Sequence, residues 1–170
     1  MKIAVNLNGR NVEWEAAPGA TLLSVLRDGV QEPRMTSVKR GCETGDCGAC
    51  TVLLQGMPVN SCVVAAARAH GATVTTIEGL VGDPLMTKLQ AALVEHAAVQ
   101  CGYCSPGMLV SLYHLLKECR AAGTTPDDHA IREALTGNLC RCTGYVKPVA
   151  AAAAVAAALA AAHGTEAGAR

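Results

Sequence analysis

The chain has 170 residues, 51% of them hydrophobic, enough to bury the core of one domain or two small ones, and this excludes disorder as its dominant state. Its 14 basic residues balance 14 acidic ones, and a net charge of zero excludes the electrostatic footprint of a nucleic-acid binder, leaving proteins or small molecules as partners. Aromatic residues reach only 2% (Trp14, Tyr103, Tyr113 and Tyr145), so Ala, Val, Leu and Met must build the core, and nine cysteines point to a further source of cohesion.

Residues 2–7 and 11–15 alternate apolar and polar positions around Asn8-Gly9, a dipeptide suited to positive φ, which predicts a β-hairpin. This start lacks the continuous apolar stretch of a signal peptide, so a cytoplasmic protein is expected. Thr21 can cap a short helix through Leu22, Leu23, Val25 and Leu26 that ends near Gly29. A Gly- and Cys-rich loop over 41–50 leads into an apolar strand over 51–54, a turn at Gln55-Gly56, and a β-rich run over 73–77.

From Asp83 onward the apolar spacing becomes helical, beginning with Leu85, Leu89 and Leu93. A second helix is predicted over 105–120, with Ser105 as the capping hydroxyl and Pro106 at the first helical position. Thr125-Pro126-Asp127-Asp128 starts a third helix, which Gly137 terminates. The Ala-rich stretch 149–162 makes a fourth; it is short for a bilayer and Ala is barely apolar, so no membrane span is expected. The predicted fold is α+β, with a β-rich domain over 1–79, a four-helix-bundle-like domain over 80–163 and a flexible tail over 164–170.

Cys42, Cys47 and Cys50 follow the spacing C-x4-C-x2-C, with Cys62 after the next strand and turn. This is the plant-type spacing for a 2Fe-2S cluster, whose dinuclear core takes four thiolates. Gly41, Gly45 and Gly48 let the backbone fold around such a core and point N–H groups at its sulfurs. A structural zinc site prefers two short hooks and fits this spacing poorly. Cys101 and Cys104 (C-x2-C) with Cys140 and Cys142 (C-x-C) form a second set, and there the spacing alone admits either zinc or iron–sulfur. A helix start beside Cys104 favours an anionic centre. Cys119 sits in a helical pattern and receives no role, and the five histidines show no ligand-like grouping. Neither an acid–base pair nor a nucleophile stands out as catalytic, and Glu43 and Asp46 are expected to face solvent.

Three segments, 41–52 (GCETGDCGACTV), 100–108 (QCGYCSPGM) and 137–145 (GNLCRCTGY), together resemble the small iron–sulfur subunit of the molybdenum hydroxylases, a family that includes xanthine dehydrogenases, aldehyde oxidoreductases and carbon monoxide dehydrogenases. Tyr103 and Ser105 stand where relatives often carry Phe and Thr. The resemblance implies a β-grasp ferredoxin domain holding one 2Fe-2S cluster on Cys42, Cys47, Cys50 and Cys62. It implies a helical domain holding another on Cys101, Cys104, Cys140 and Cys142, which decides the second set in favour of iron. It further implies a large partner subunit with a molybdenum-pterin cofactor and a medium subunit with FAD, in a heterotrimer that stands alone or pairs. The chain would then relay single electrons, with the helical-domain cluster nearer the pterin and the plant-type cluster nearer the flavin. Gln100 matches the family glutamine that hydrogen-bonds the pterin, and Arg141 either faces the partner or is a solvated surface residue. Two alternatives remain at this point: a free two-cluster ferredoxin and a zinc-stapled interaction module.

Overall fold

The computed structural model describes residues 1–28 and 34–167, the last five of these by backbone alone. Strands β1 (Lys2–Leu7) and β2 (Arg10–Glu15) pair antiparallel, with Ile3 opposite Trp14 and Val5 opposite Val12, so the hairpin has one apolar face. Asn8 (φ 52°) and Gly9 (φ 82°) both take positive φ to make the turn. The same geometry at Gln55 (φ 51°) and Gly56 (φ 82°) joins β3 (Thr51–Leu54) to β4 (Met57–Asn60). Strand β4 is not among the predicted elements, because Pro58 reads against a strand; it lies at the sheet edge, where a proline is tolerated.

Strand β5 (Thr73–Thr75) runs parallel to β1 and antiparallel to β3, which gives the order β2-β1-β5-β3-β4. It is shorter than predicted, since the chain turns into a 3-10 helix at Ile77–Leu80. Helix α1 (Leu22–Arg27) starts where Thr21 accepts a hydrogen bond from Ser24 N at 3.2 Å, and the predicted stop at Gly29 lies outside the described residues. Its Leu22, Leu23 and Leu26 join Ile3, Val5, Trp14 and Val52 in one core, so a helix lies across a mixed sheet in the β-grasp manner. Each of these large side chains contributes about 1.5–3 kcal/mol of burial.

The second half is helical. Asp83 caps α2 (Pro84–Glu95) by accepting from Leu85 N and Met86 N, and Asp127 caps α4 (Asp128–Ala134) by accepting from Ala130 N. Helix α3 (Ser105–Ala121) departs from the prediction: Ser105 is its first helical residue, and Cys104 stands at the cap position without a side-chain bond to the helix. Helix α4 ends before Gly137, because Leu135 turns into the core instead. Helix α5 (Val146–Ala167) starts earlier than expected and carries on to Ala167, into the stretch read as a tail, since its alanines propagate a helix well; residues 168–170 of that tail lie outside the described residues.

Met86, Leu89, Leu112, Leu116, Ile131 and Leu135 centre the second core, which also takes in Leu53 from β3. That strand therefore ties the two halves together. Among the described residues no helix is long and apolar enough to cross a membrane.

Candidate metal centres

The β3–β4 hairpin places Cys62 beside Cys50, the residue just before β3, and both are buried. Ser61 reinforces this by donating its hydroxyl to Cys50 O at 2.8 Å, and Asn60 Nδ2 donates to Gly45 O at 2.6 Å. The 41–50 loop wraps tightly: Glu43, Gly45 and Gly48 all have positive φ, and a Cβ on Gly41 would lie 2.6 Å from Cys47 Sγ. Inside the loop Thr44 N and Cys47 N both donate to Cys42 Sγ, at 3.4 and 3.3 Å. Hydrogen bonds from Thr44, first by its side chain and then by its backbone, with Cys47 N–H, bring the Cys42 thiol down to about 5. Burial first, and then the neighbouring Cys50, pushes Cys62 up to about 12. Glu43 and Asp46 are exposed, as expected, and Arg40 pairs with Asp28 and Glu43 at the rim.

The second set comes from the α2–α3 and α4–α5 connections. Cys101 Sγ and Cys142 Sγ are 3.6 Å apart and exposed, while Cys104 and Cys140 are half-buried against the helical core. The Cys104 thiol is pushed up to about 12 by burial and then by Cys140 beside it. Cys140 lies lower than usual, because hydrogen bonds led by Thr143 outweigh the effect of its burial. Cys101 is likewise lowered, by the Tyr103 backbone N–H and then by the Cys142 thiol. Cys104 occupies the N-terminus of α3, where free N–H groups favour an anionic centre.

The thiols thus stand in pairs: Cys42 with Cys47, Cys50 with Cys62, Cys101 with Cys142 and Cys104 with Cys140. Among the described residues no three His, Cys, Asp or Glu side chains converge as they would on one ion. Two thiols per metal, two metals per site, is the donor pattern of a dinuclear iron core. Thiols must lose their protons to ligate iron, so loading with metal releases protons from both sites.

Gln100 is exposed and its Nε2 donates to Cys142 O at 3.0 Å, which braces the outer pair. Arg141 is exposed. Cys119 takes no part in either site: it lies about 22 Å along α3 from Cys104, beside a cleft lined by Leu116 and Pro126.

Several residues without a role in the sequence reading join the two sites. Leu139 N donates to Cys47 O at 2.9 Å, so the residue before Cys140 bonds directly to a cysteine of the other set. Asn138 Nδ2 donates to Gly48 O at 3.0 Å, and the Tyr103 hydroxyl donates to Arg40 O. Within the second loop, Tyr145 accepts from Cys140 N at 2.8 Å and donates to Asn138 O at 2.9 Å. Each lies in or beside a quoted cysteine segment, but only the folded contacts reveal what it does.

Family models for a 2Fe-2S iron-sulfur cluster binding domain and for a 2Fe-2S binding domain match residues 5–74 and 76–153 respectively. The chain is 44% identical over 145 residues to the nicotinate dehydrogenase small FeS subunit of Eubacterium barkeri, covering 85% of this chain and 88% of that protein. It is 41% identical over 143 residues to the xanthine dehydrogenase iron-sulfur-binding subunit of Escherichia coli O157:H7, covering 84% and 86%. In structure it resembles a chain of quinoline 2-oxidoreductase from Pseudomonas putida 86, with a TM-score of 0.81, 37% identity, and coverage of 94% and 95%.

Proposed function

The chain belongs to the small iron–sulfur subunits of the molybdenum hydroxylases, and from that premise we propose which residues hold its two 2Fe-2S clusters and which partners they serve. It is the electron-transfer subunit of an oxidoreductase whose substrate chemistry belongs to a large molybdenum subunit. Cys42, Cys47, Cys50 and Cys62 hold one cluster, and Cys101, Cys104, Cys140 and Cys142 the other. The pairing of the thiols is the observation that carries this assignment. A bound 2Fe-2S cluster takes up and returns one electron at a time.

The protein's own groups prepare both sites. Thr44 N and Cys47 N stabilise negative charge on Cys42 Sγ. The Leu139-to-Cys47 hydrogen bond provides a short bonded route between the two ligand sets. Gln100, exposed beside the exposed Cys101 and Cys142, offers an amide donor and acceptor to the edge of a pterin on the large subunit. Electrons would then enter at the Cys101 side and leave at the Cys42 side toward FAD on a medium subunit, within a cytoplasmic heterotrimer. A division near 79/80 is supported by the separate cores.

Iron and acid-labile sulfide analysis of the native complex is expected to give about four of each per copy of this chain. Cys142→Ser should remove one paramagnetic centre and Cys42→Ser the other, while Gln100→Ala keeps both and slows their reduction by substrate. Unchanged paramagnetic spectra in both cysteine variants would refute the ligand sets, and unchanged reduction in Gln100→Ala would refute the role of the glutamine. Absence of a flavin-bearing chain from the purified complex would refute the trimer.

A further inference from the structure

We propose that Asn138 is a positioning residue for electron transfer between the clusters, its buried amide locking the two cysteine loops together and holding the Leu139-to-Cys47 hydrogen bond in place. This deepens the ligand assignment above and rests on it. Asn138 is 2% exposed, and every polar atom of its side chain is engaged. Nδ2 donates to Gly48 O at 3.0 Å and to Thr51 Oγ1 at 3.3 Å, while Oδ1 accepts from Ser111 Oγ of α3 at 2.7 Å. A carbonyl can only accept, so Gly48 O fixes which way the amide faces, and Ser111 must then be the donor on the other side. Thr51 closes the ring by donating to Gly48 O at 2.7 Å.

The backbone around this amide is packed too closely to admit side chains. A Cβ on Gly107 would lie 2.2 Å from Gly48 O and 3.0 Å from Asn138 Nδ2, and one on Gly48 would lie 2.1 Å from Gly137 O. Three segments therefore meet at one point: the first cysteine loop at Gly48, the start of α3 at Gly107, and the second loop at 137–139. Cys47, Cys104 and Cys140 each lie within three residues of that point along their own segments. Asn138 immediately precedes Leu139, whose N–H reaches Cys47 O, and Leu139 immediately precedes Cys140. Electron tunnelling weakens steeply with distance, and a through-bond route fails if its one hydrogen bond opens. The transfer itself moves one electron from the reduced centre to the oxidised one, with no bond made or broken and no proton moved.

The test uses the purified native complex carrying Asn138→Ala, with Ser111→Ala as a milder variant that frees one side of the amide while leaving its hydrogen bond to Gly48 O in place. Low-temperature electron paramagnetic resonance of the fully reduced complex reads the magnetic splitting between the centres, and rapid-freeze sampling reads the rate at which they exchange an electron. Both variants are expected to keep full iron and sulfide content and both signals. The splitting should change and exchange should slow severalfold in Asn138→Ala, with a smaller effect in Ser111→Ala. Unchanged splitting and exchange in fully loaded Asn138→Ala would overturn the proposal. So would loss of a cluster in both variants, which would make the asparagine a folding residue only. Wild-type complex lacking two paramagnetic centres would overturn the ligand assignment instead.

Discussion

A single methyl group can decide whether the first cluster assembles. A Cβ on Gly41 would come within 2.6 Å of Cys47 Sγ, a separation that forces the sulfur away from Cys42. Gly41→Ala is therefore expected to lose the cluster on Cys42, Cys47, Cys50 and Cys62 and to keep the other, leaving about two irons per chain and one paramagnetic signal. Four irons with both signals intact would show that the loop can give way. The grouping of eight cysteines into two sets is legible in the sequence, because their spacing is a local property. Gly41 is only half legible: its flexibility can be read from the residue type, its closeness to one sulfur cannot. Asn138 is not legible at all, since an asparagine matters here only through a partner 90 residues away.

Among elements, the 3-10 helix at Ile77–Leu80 leads from sheet to helices, and Glu78 fastens it to the segment before the first cysteine loop. Glu78 accepts from Ser37 N at 2.9 Å, from Ser37 Oγ at 2.5 Å and from Thr76 Oγ1 at 2.6 Å. Burial alone would raise its carboxyl, but the bonds from Ser37 and Thr76 outweigh it and hold the group below its usual value of 4.5. A depressed folded value contributes stability that is complete above the unfolded pKa and is lost only as pH falls through the folded one. Glu78→Gln should therefore cost the same at pH 7 and pH 5, on the order of 1 kcal/mol for a half-buried group with neutral donors. Urea unfolding followed by the fluorescence of buried Trp14, the one tryptophan, measures this. A deficit that grows toward pH 5 would place the carboxyl above its usual value. Helix and strand positions were largely legible from periodicity, and both positive-φ turns from Asn-Gly and Gln-Gly. Strand β4 was hidden by Pro58, and the cap of α3 was misread because Cys104, tied to its neighbouring thiol, takes the place a serine would normally hold.

Across the whole molecule the two sites differ in how they face solvent. Cys50 and Cys62 lie within the β-grasp core, whereas Cys101 and Cys142 are exposed. Around that outer pair the surface is also unusually apolar, with Tyr103 at 47%, Leu139 at 57% and Val146 at 66% exposure. Exposed apolar groups around a half-open metal site fit a face that a partner covers, and Gln100 stands on the same face. The two-domain order was legible because each motif sits in its own stretch of chain; which thiols face outward was not, since it follows from how α3 and α5 pack. The exposure has a kinetic consequence. In the isolated chain a chelator reaches the Cys101–Cys142 side directly, but reaches Cys50 and Cys62 only after the β-grasp core opens. Incubation of the loaded isolated chain with a strong iron chelator should therefore bleach the helical-domain signal first, in a separate and faster phase. In the intact complex that faster phase should disappear, because the partner closes the face. Loss of both signals at one rate in the isolated chain would mean that the helical site is as well guarded as the buried one. Persistence of the fast phase in the complex would mean that the large subunit docks elsewhere.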